Sequence, residues 1–193
     1  MAVHKNLLLF FLLFPNLIFG SQIGTASNST IEILAEDIIK TSEDTYLVGV
    51  KFRLDPGWHT YWINPGDSGE KASFEWKLPE GVKISNPKWP SPEIIPYPPL
   101  MTYGYNEEVT VLFNLTVERD LLSSEQIFLK SNWLACEDVC LPQSASIETT
   151  FLKIDDYKLS NKNSELLEKQ KKLPKKLPSS IKVLEEKGEI LLT

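Results

Sequence analysis

Between Thr45 and Leu54 the chain alternates: Tyr46, Val48, Val50, Phe52 and Leu54 fall to one side, and Thr45, Lys51 and Arg53 to the other. Leu47 and Gly49 blur that second face. A second run sets Val109, Val111, Phe113, Leu115 and Val117 against Thr110, Asn114 and Thr116. Successive side chains leave a strand on opposite faces, so each run predicts a half-buried β-strand. Weaker runs predict strands over Ile31 to Ile39, Trp58 to Trp62, Ser73 to Leu78, Ile127 to Ala135 and Ser144 to Leu152. Turn clusters separate them: Asp55-Pro56-Gly57, Asn64-Pro65-Gly66-Asp67, Pro79-Glu80-Gly81 and Asn106-Glu107-Glu108. Short strands at this spacing, with no helical period between them, predict an all-β fold. The architecture expected is an immunoglobulin-like antiparallel β-sandwich.

Two stretches break the pattern. Asn86 to Tyr105 holds prolines at 87, 90, 92, 96, 98 and 99, which predicts a long Pro-rich ordered loop and excludes a central strand. After Tyr157 the alternation stops. Ser164 to Leu173 predicts a short helix capped by Ser164, ended by Pro174 and Pro178. Ile181 to Leu184 and Glu189 to Leu192 read as halves of a hairpin around Lys187-Gly188.

The first 26 residues change the compartment. Lys5 precedes an apolar run from Leu7 to Phe14, too short to span a bilayer comfortably, and small residues follow. A signal peptide is expected, cleaved after Gly20 or Ala26, with export from the cytoplasm and no integral membrane segment afterwards. The domain plan is therefore a signal over 1–26, one sandwich over 27–157, and a Lys-rich linker or the start of a further domain over 158–193.

Charge narrows the partners. The net charge is −6, yet residues 158 to 193 carry nine Lys against five Glu, so the body is strongly acidic. An acidic body excludes nucleic acid as the expected partner.

The chain has two cysteines, Cys136 and Cys140, in the run Trp133-Leu134-Ala135-Cys136-Glu137-Asp138-Val139-Cys140-Leu141-Pro142. A staple closing so short a loop is worth roughly 2 kcal/mol, at the low end for a disulfide. A sandwich of this size does not need one. A redox role is the favoured reading, with a structural bridge and a metal site as the alternatives. Neither Lys, Arg nor His occurs from Asn132 to Gln143, and Glu137 and Asp138 lie between the thiols. Carboxylates disfavour a thiolate, so the pair reads as a station attacked by another protein's thiolate. A Cu(I) site from Cys136, Cys140 and Met101 has suitably soft ligands, but no spacing requires it. His59 is the one histidine beyond the signal, which leaves no histidine-built metal site; no metal and no cofactor are expected. Trp58, Tyr61 and Trp62 read most simply as core.

Several runs together resemble a known family. They are Gly57-Trp58-His59-Thr60-Tyr61-Trp62-Ile63-Asn64-Pro65-Gly66-Asp67-Ser68-Gly69, Phe74-Glu75-Trp76-Lys77-Leu78-Pro79-Glu80-Gly81, Trp89-Pro90-Ser91-Pro92, Tyr103-Gly104-Tyr105 and the cysteine run. In order, over Ile31 to Leu152, they are similar to the amino-terminal periplasmic domain of DsbD/ScsB-type thiol:disulfide interchange proteins. The resemblance implies an immunoglobulin-like sandwich whose cysteine pair is catalytic. That pair takes electrons from a membrane-embedded reductase and passes them to thioredoxin-like periplasmic proteins, a protein-disulfide reductase type of activity. It also implies that Met101, Thr102 and Tyr103 cap the disulfide, that His59 and Tyr61 line its surroundings, and that Cys140 forms the intermolecular bond. The competing class is a non-catalytic binding module stapled by the same bond.

Overall fold

The computed structural model describes residues 23–42, 44–118, 125–150, 165–175, 183–186 and 189–192. The expected signal run before Ile23 lies outside these residues, as do Ser164 and Lys187-Gly188. Two antiparallel sheets face each other. The first orders its strands β1 (Ile23–Thr25), β2 (Ser29–Ser42), β3 (Thr45–Leu54), β9 (Glu108–Val117) and β6 (Val82–Ile84). The second runs β11 (Cys140–Thr150), β10 (Gln126–Cys136), β4 (His59–Gly66), β8 (Leu100–Asn106) and β7 (Glu93–Tyr97), with β5 (Ser73–Lys77) also pairing β10. The two sheets form the immunoglobulin-like sandwich that the alternation predicts. Both long alternating runs are central strands, β3 and β9, paired from Thr45↔Thr116 to Arg53↔Glu108.

Inward residues of both sheets meet in one core. Phe52 and Phe113 are buried there among edge-to-face aromatic contacts with Phe74, Trp76 and Trp133. Such contacts add about 0.5–1.5 kcal/mol per pair to the burial of the rings. The aromatic run Trp58, Tyr61 and Trp62 divides. Trp58 and Trp62 pack against this core, whereas Tyr61 does not belong to it.

The Pro-rich stretch corrects an expectation. Its last part is not a loop: β8 is an interior strand, hydrogen-bonded to β4 on one side and β7 on the other. The prolines explain where the ladder can form. All six precede Leu100, so β8 keeps every amide, and Pro96 falls in β7, an edge strand where a missing donor costs nothing.

The short helix predicted after Tyr157 is α1 (Glu165–Lys171), and the hairpin is β12 (Val183–Glu186) with β13 (Glu189–Leu192). Helix α1 lies on the outer face of the first sheet. Leu166 is fully buried there with Leu47 and Leu112. Gly49 leaves the space it fills, since a Cβ at that position would stand 2.6 Å from Leu166 Cδ2. Lys51 and Lys169 bracket Glu108 and Glu165 in a surface-edge ion cluster, with Lys51 Nζ 2.9 Å from Glu108 and 2.7 Å from Glu165. Burial alone would raise the Glu108 pKa. The ammonium groups of Lys169 and Lys51 outweigh it and hold the carboxyl below its usual value.

Candidate functional site: a disulfide under a hydroxyl chain

Cys136 ends β10 and Cys140 begins β11, directly opposite each other in the register of the hairpin. They are joined by a disulfide, with their Cα atoms 4.1 Å apart. The ladder below them runs unbroken from Gln126↔Thr150 to Ala135↔Leu141, so the polypeptide already closes the loop that the bond closes. The two sulfurs sit in different environments. Cys136 is 1% exposed, whereas Cys140 is open to solvent.

Strand parity explains which face carries the bond. Trp133 and Ala135 point into the core, so Cys136 projects from the outer face of the second sheet. Its partner across the ladder is His59 of β4. On the same face, two positions along, comes Tyr61. Farther across the sheet lie Ile95 opposite Thr102 and Tyr97 opposite Leu100. These residues, with Ser68, Glu137 and Asp138, line a cleft of about 170 Å³ that has both cysteines in its wall.

Tyr61 lies against the bond. Its ring is 3% exposed, and its hydroxyl donates to Cys136 Sγ at 3.0 Å and lies 3.3 Å from Cys140 Sγ. His59 meets that ring edge-on at 5.4 Å. Behind it, Gly69 takes a φ of +96°, and a Cβ there would stand 2.3 Å from two ring carbons, so only glycine lets the chain pass so close. Ser68 stands beside Tyr61 in the cleft wall, and Ser68 Oγ is 3.1 Å from Thr102 Oγ1. Burial raises the Tyr61 pKa and lowers that of His59. The imidazolium is thereby disfavoured, and among the described residues no Lys or Arg lines the cleft.

Of the residues expected around the bond, Cys136, Cys140, His59, Tyr61 and Thr102 come together. Met101 and Tyr103 do not line the cleft, because in β8 they alternate with Leu100 and Thr102. Met101 is tied elsewhere: its backbone amide accepts no role at the sulfurs but donates to Asp67 Oδ2, and its carbonyl receives the Asp67 amide. Sequence reasoning missed Ser68, Tyr97 and Leu100. Ser68 was visible inside the Gly66-Asp67-Ser68-Gly69 turn, but only the fold carries that turn to the sulfurs.

These features have counterparts in known proteins. Residues 32–152 match the family model described as "Thiol:disulfide interchange protein DsbD, N-terminal". Among solved structures, the N-terminal periplasmic domain of ScsB from Proteus mirabilis superposes with a TM-score of 0.57 at 21% identity, over 81% of this chain and 60% of that one. The chain thus spans less than two thirds of the ScsB chain. The GAE domain of GGA2p from Saccharomyces cerevisiae scores 0.33 at 11% identity, covering 64% of this chain and 93% of its own. The yeast GGA1 GAE domain scores 0.34 at 9% identity, covering 65% and 95%. No curated protein sequence matches the chain. With the cysteine pair inside the matched segment and the sandwich shared with ScsB, the chain belongs to the family of DsbD amino-terminal thiol:disulfide interchange domains.

Proposed function

We propose that this domain is a periplasmic electron carrier whose Cys136–Cys140 pair cycles between disulfide and dithiol. Its partners are thioredoxin-like proteins and a membrane-embedded reductase. The observation that carries this reading is the disulfide's redundancy as a staple. It joins residues that an unbroken hairpin ladder already holds opposite each other, so it adds little constraint. One of the two residues, Cys140, is nevertheless exposed at the edge of a cleft.

The asymmetry sets the order of events. A partner thiolate reaches Cys140, the exposed sulfur, and Cys136 leaves. A mixed disulfide through Cys140 follows, and the partner's second thiol resolves it. The apolar rim of Tyr97, Leu100, Val139 and Leu141, each substantially exposed, supplies the docking surface for that partner. Export fits the same picture. Of the two expected cleavage positions, the one after Gly20 retains the strand Ile23–Thr25 that pairs with β2.

The reduction potential tests the reading. A carrier falls in the isomerase-to-thioredoxin range, roughly −180 to −270 mV, and a value below about −300 mV makes the bond structural.

A further inference from the structure

When the Cys136–Cys140 bond opens, the electron pair must settle on a sulfur. Attack at the exposed Cys140 places it on Cys136, which is 1% exposed. A buried thiolate is costly unless it is hydrogen-bonded or faces a cation. Among the described residues the cleft offers no Lys or Arg: its charged residues are Glu137 and Asp138, and burial disfavours the charged form of His59. The group already in contact is the Tyr61 hydroxyl, 3.0 Å from Cys136 Sγ.

That hydroxyl is itself backed by two others. Tyr61 uses its hydrogen on sulfur, which leaves its oxygen to accept, and Ser68 stands beside it in the cleft wall. With Ser68 donating to that oxygen, Thr102, 3.1 Å away, is left to donate to Ser68 Oγ. Thr102 is 1% exposed, so water does not compete for its place in the sequence. Hydroxyls donating in series polarise one another, which strengthens the last bond. The last bond is the one on sulfur.

We propose that the chain Thr102–Ser68–Tyr61 delivers a hydrogen bond to the departing Cys136 thiolate, making Tyr61 a catalytic residue of exchange and Ser68 and Thr102 its positioning residues. The proposal rests on the redox reading of the cysteine pair. In the step itself, the attacking thiolate forms a bond to Cys140 Sγ, the Cys136–Cys140 bond breaks, and its electron pair goes to Cys136 Sγ. The attacker is oxidised, the protein disulfide is reduced, and no proton moves. Tyr61 stays protonated because burial lifts its pKa above the ordinary tyrosine value, which already exceeds that of a thiol. In the reverse direction the same bond holds Cys136 as the thiolate that resolves a mixed disulfide at Cys140.

Dithiothreitol serves as the reductant, since it supplies both thiols and needs no physiological partner. Tyr61→Phe keeps the ring and removes the donor. Its reduction should slow by about tenfold or more, the usual size for a hydrogen bond to a charged group. In a Cys140→Ser background, the Cys136 thiol, followed by thiolate absorbance against pH, should titrate higher with Phe than with Tyr at position 61. Ser68→Ala should move both readouts the same way by less, and Thr102→Val by less again. An unchanged or faster reduction, or an unmoved thiol titration, overturns the proposal. If Tyr61→Phe does not keep the native fold, Ser68→Ala decides alone, and no shift in either readout sinks the idea. Failure here leaves the carrier reading intact, since that reading stands on the potential and on capture of a thioredoxin-fold partner.

Discussion

The two outer faces of this sandwich break the same rule and settle the breach differently. On the first sheet, Leu47 and Leu112 point away from the core, where polar residues are expected, and the chain covers them with α1 and the buried Leu166. On the second, Ile95, Tyr97 and Leu100 also leave the core face, yet among the described residues they are left as the wall of an open cleft. One face is sealed by the protein's own segment and locked by the Lys51–Glu108–Glu165–Lys169 cluster. The other leaves its apolar surface open beside the disulfide. The reactive bond sits on the open face, opposite the helix side. On the proposed reading, stability and exchange fall on separate surfaces, and each should be open to perturbation with little effect on the other.

Removing the reactive sulfurs should have the largest effect, confined to the open face. Cys136→Ser should trap a covalent, reductant-sensitive complex with a thioredoxin-fold protein through Cys140, while Cys140→Ser traps far less. Non-reducing electrophoresis of periplasmic extracts reads both, and equal trapping by the two variants would contradict the exposure argument. Melting curves of the two variants should lie close to each other.

The sealed face should show the converse. Leu166→Ala removes the one side chain of α1 that is fully buried, and should cost about 2–3 kcal/mol in denaturant unfolding. Reduction by a small thiol should not change. Gly49→Ala should also destabilise, by about 1–3 kcal/mol, because its new Cβ meets Leu166 Cδ2. The two costs should be non-additive, since truncating Leu166 relieves the clash. Strict additivity would show that α1 does not seat there in solution.

The smallest effect separates two halves of one strand pair. Replacing Tyr97 and Leu100 together by Ala removes apolar wall from the cleft and should speed reduction by a small thiol a few-fold. Met101→Ala, on the other parity of β8, should leave the rate within experimental error. If Met101 governs the rate and Tyr97 with Leu100 do not, the capping residues are those first expected from the resemblance rather than those lining the cleft.

Alternation of residue types determined most of the sandwich. Strands β3 and β9 are legible because their inward residues are uniformly apolar, and the cysteine pair is legible because the chain's two cysteines stand four positions apart in one acidic run. Even the interruption at Leu47 and Gly49 carried information, since it marks where α1 lands. It could not be read as such, because the residue that completes it, Leu166, lies over a hundred positions away. The same limit hid the interior placement of β8. A high local proline count reads as loop, and only pairing partners distant in sequence reveal that the amide-bearing segment after Pro99 joins the sheet.

The sequence by itself thus determined the residue chemistry and the local period: which segments extend, which pair of sulfurs can react, and that no cation sits beside them in the chain. Tertiary structure decided everything that depends on face and distance. It turned Tyr61 from the core onto the disulfide, buried Cys136 while exposing Cys140, and brought Ser68 and Thr102 into the same cleft wall. The physical reason is that a strand offers only two faces, and which face is core is set by the opposing sheet. No run of residues carries that information alone.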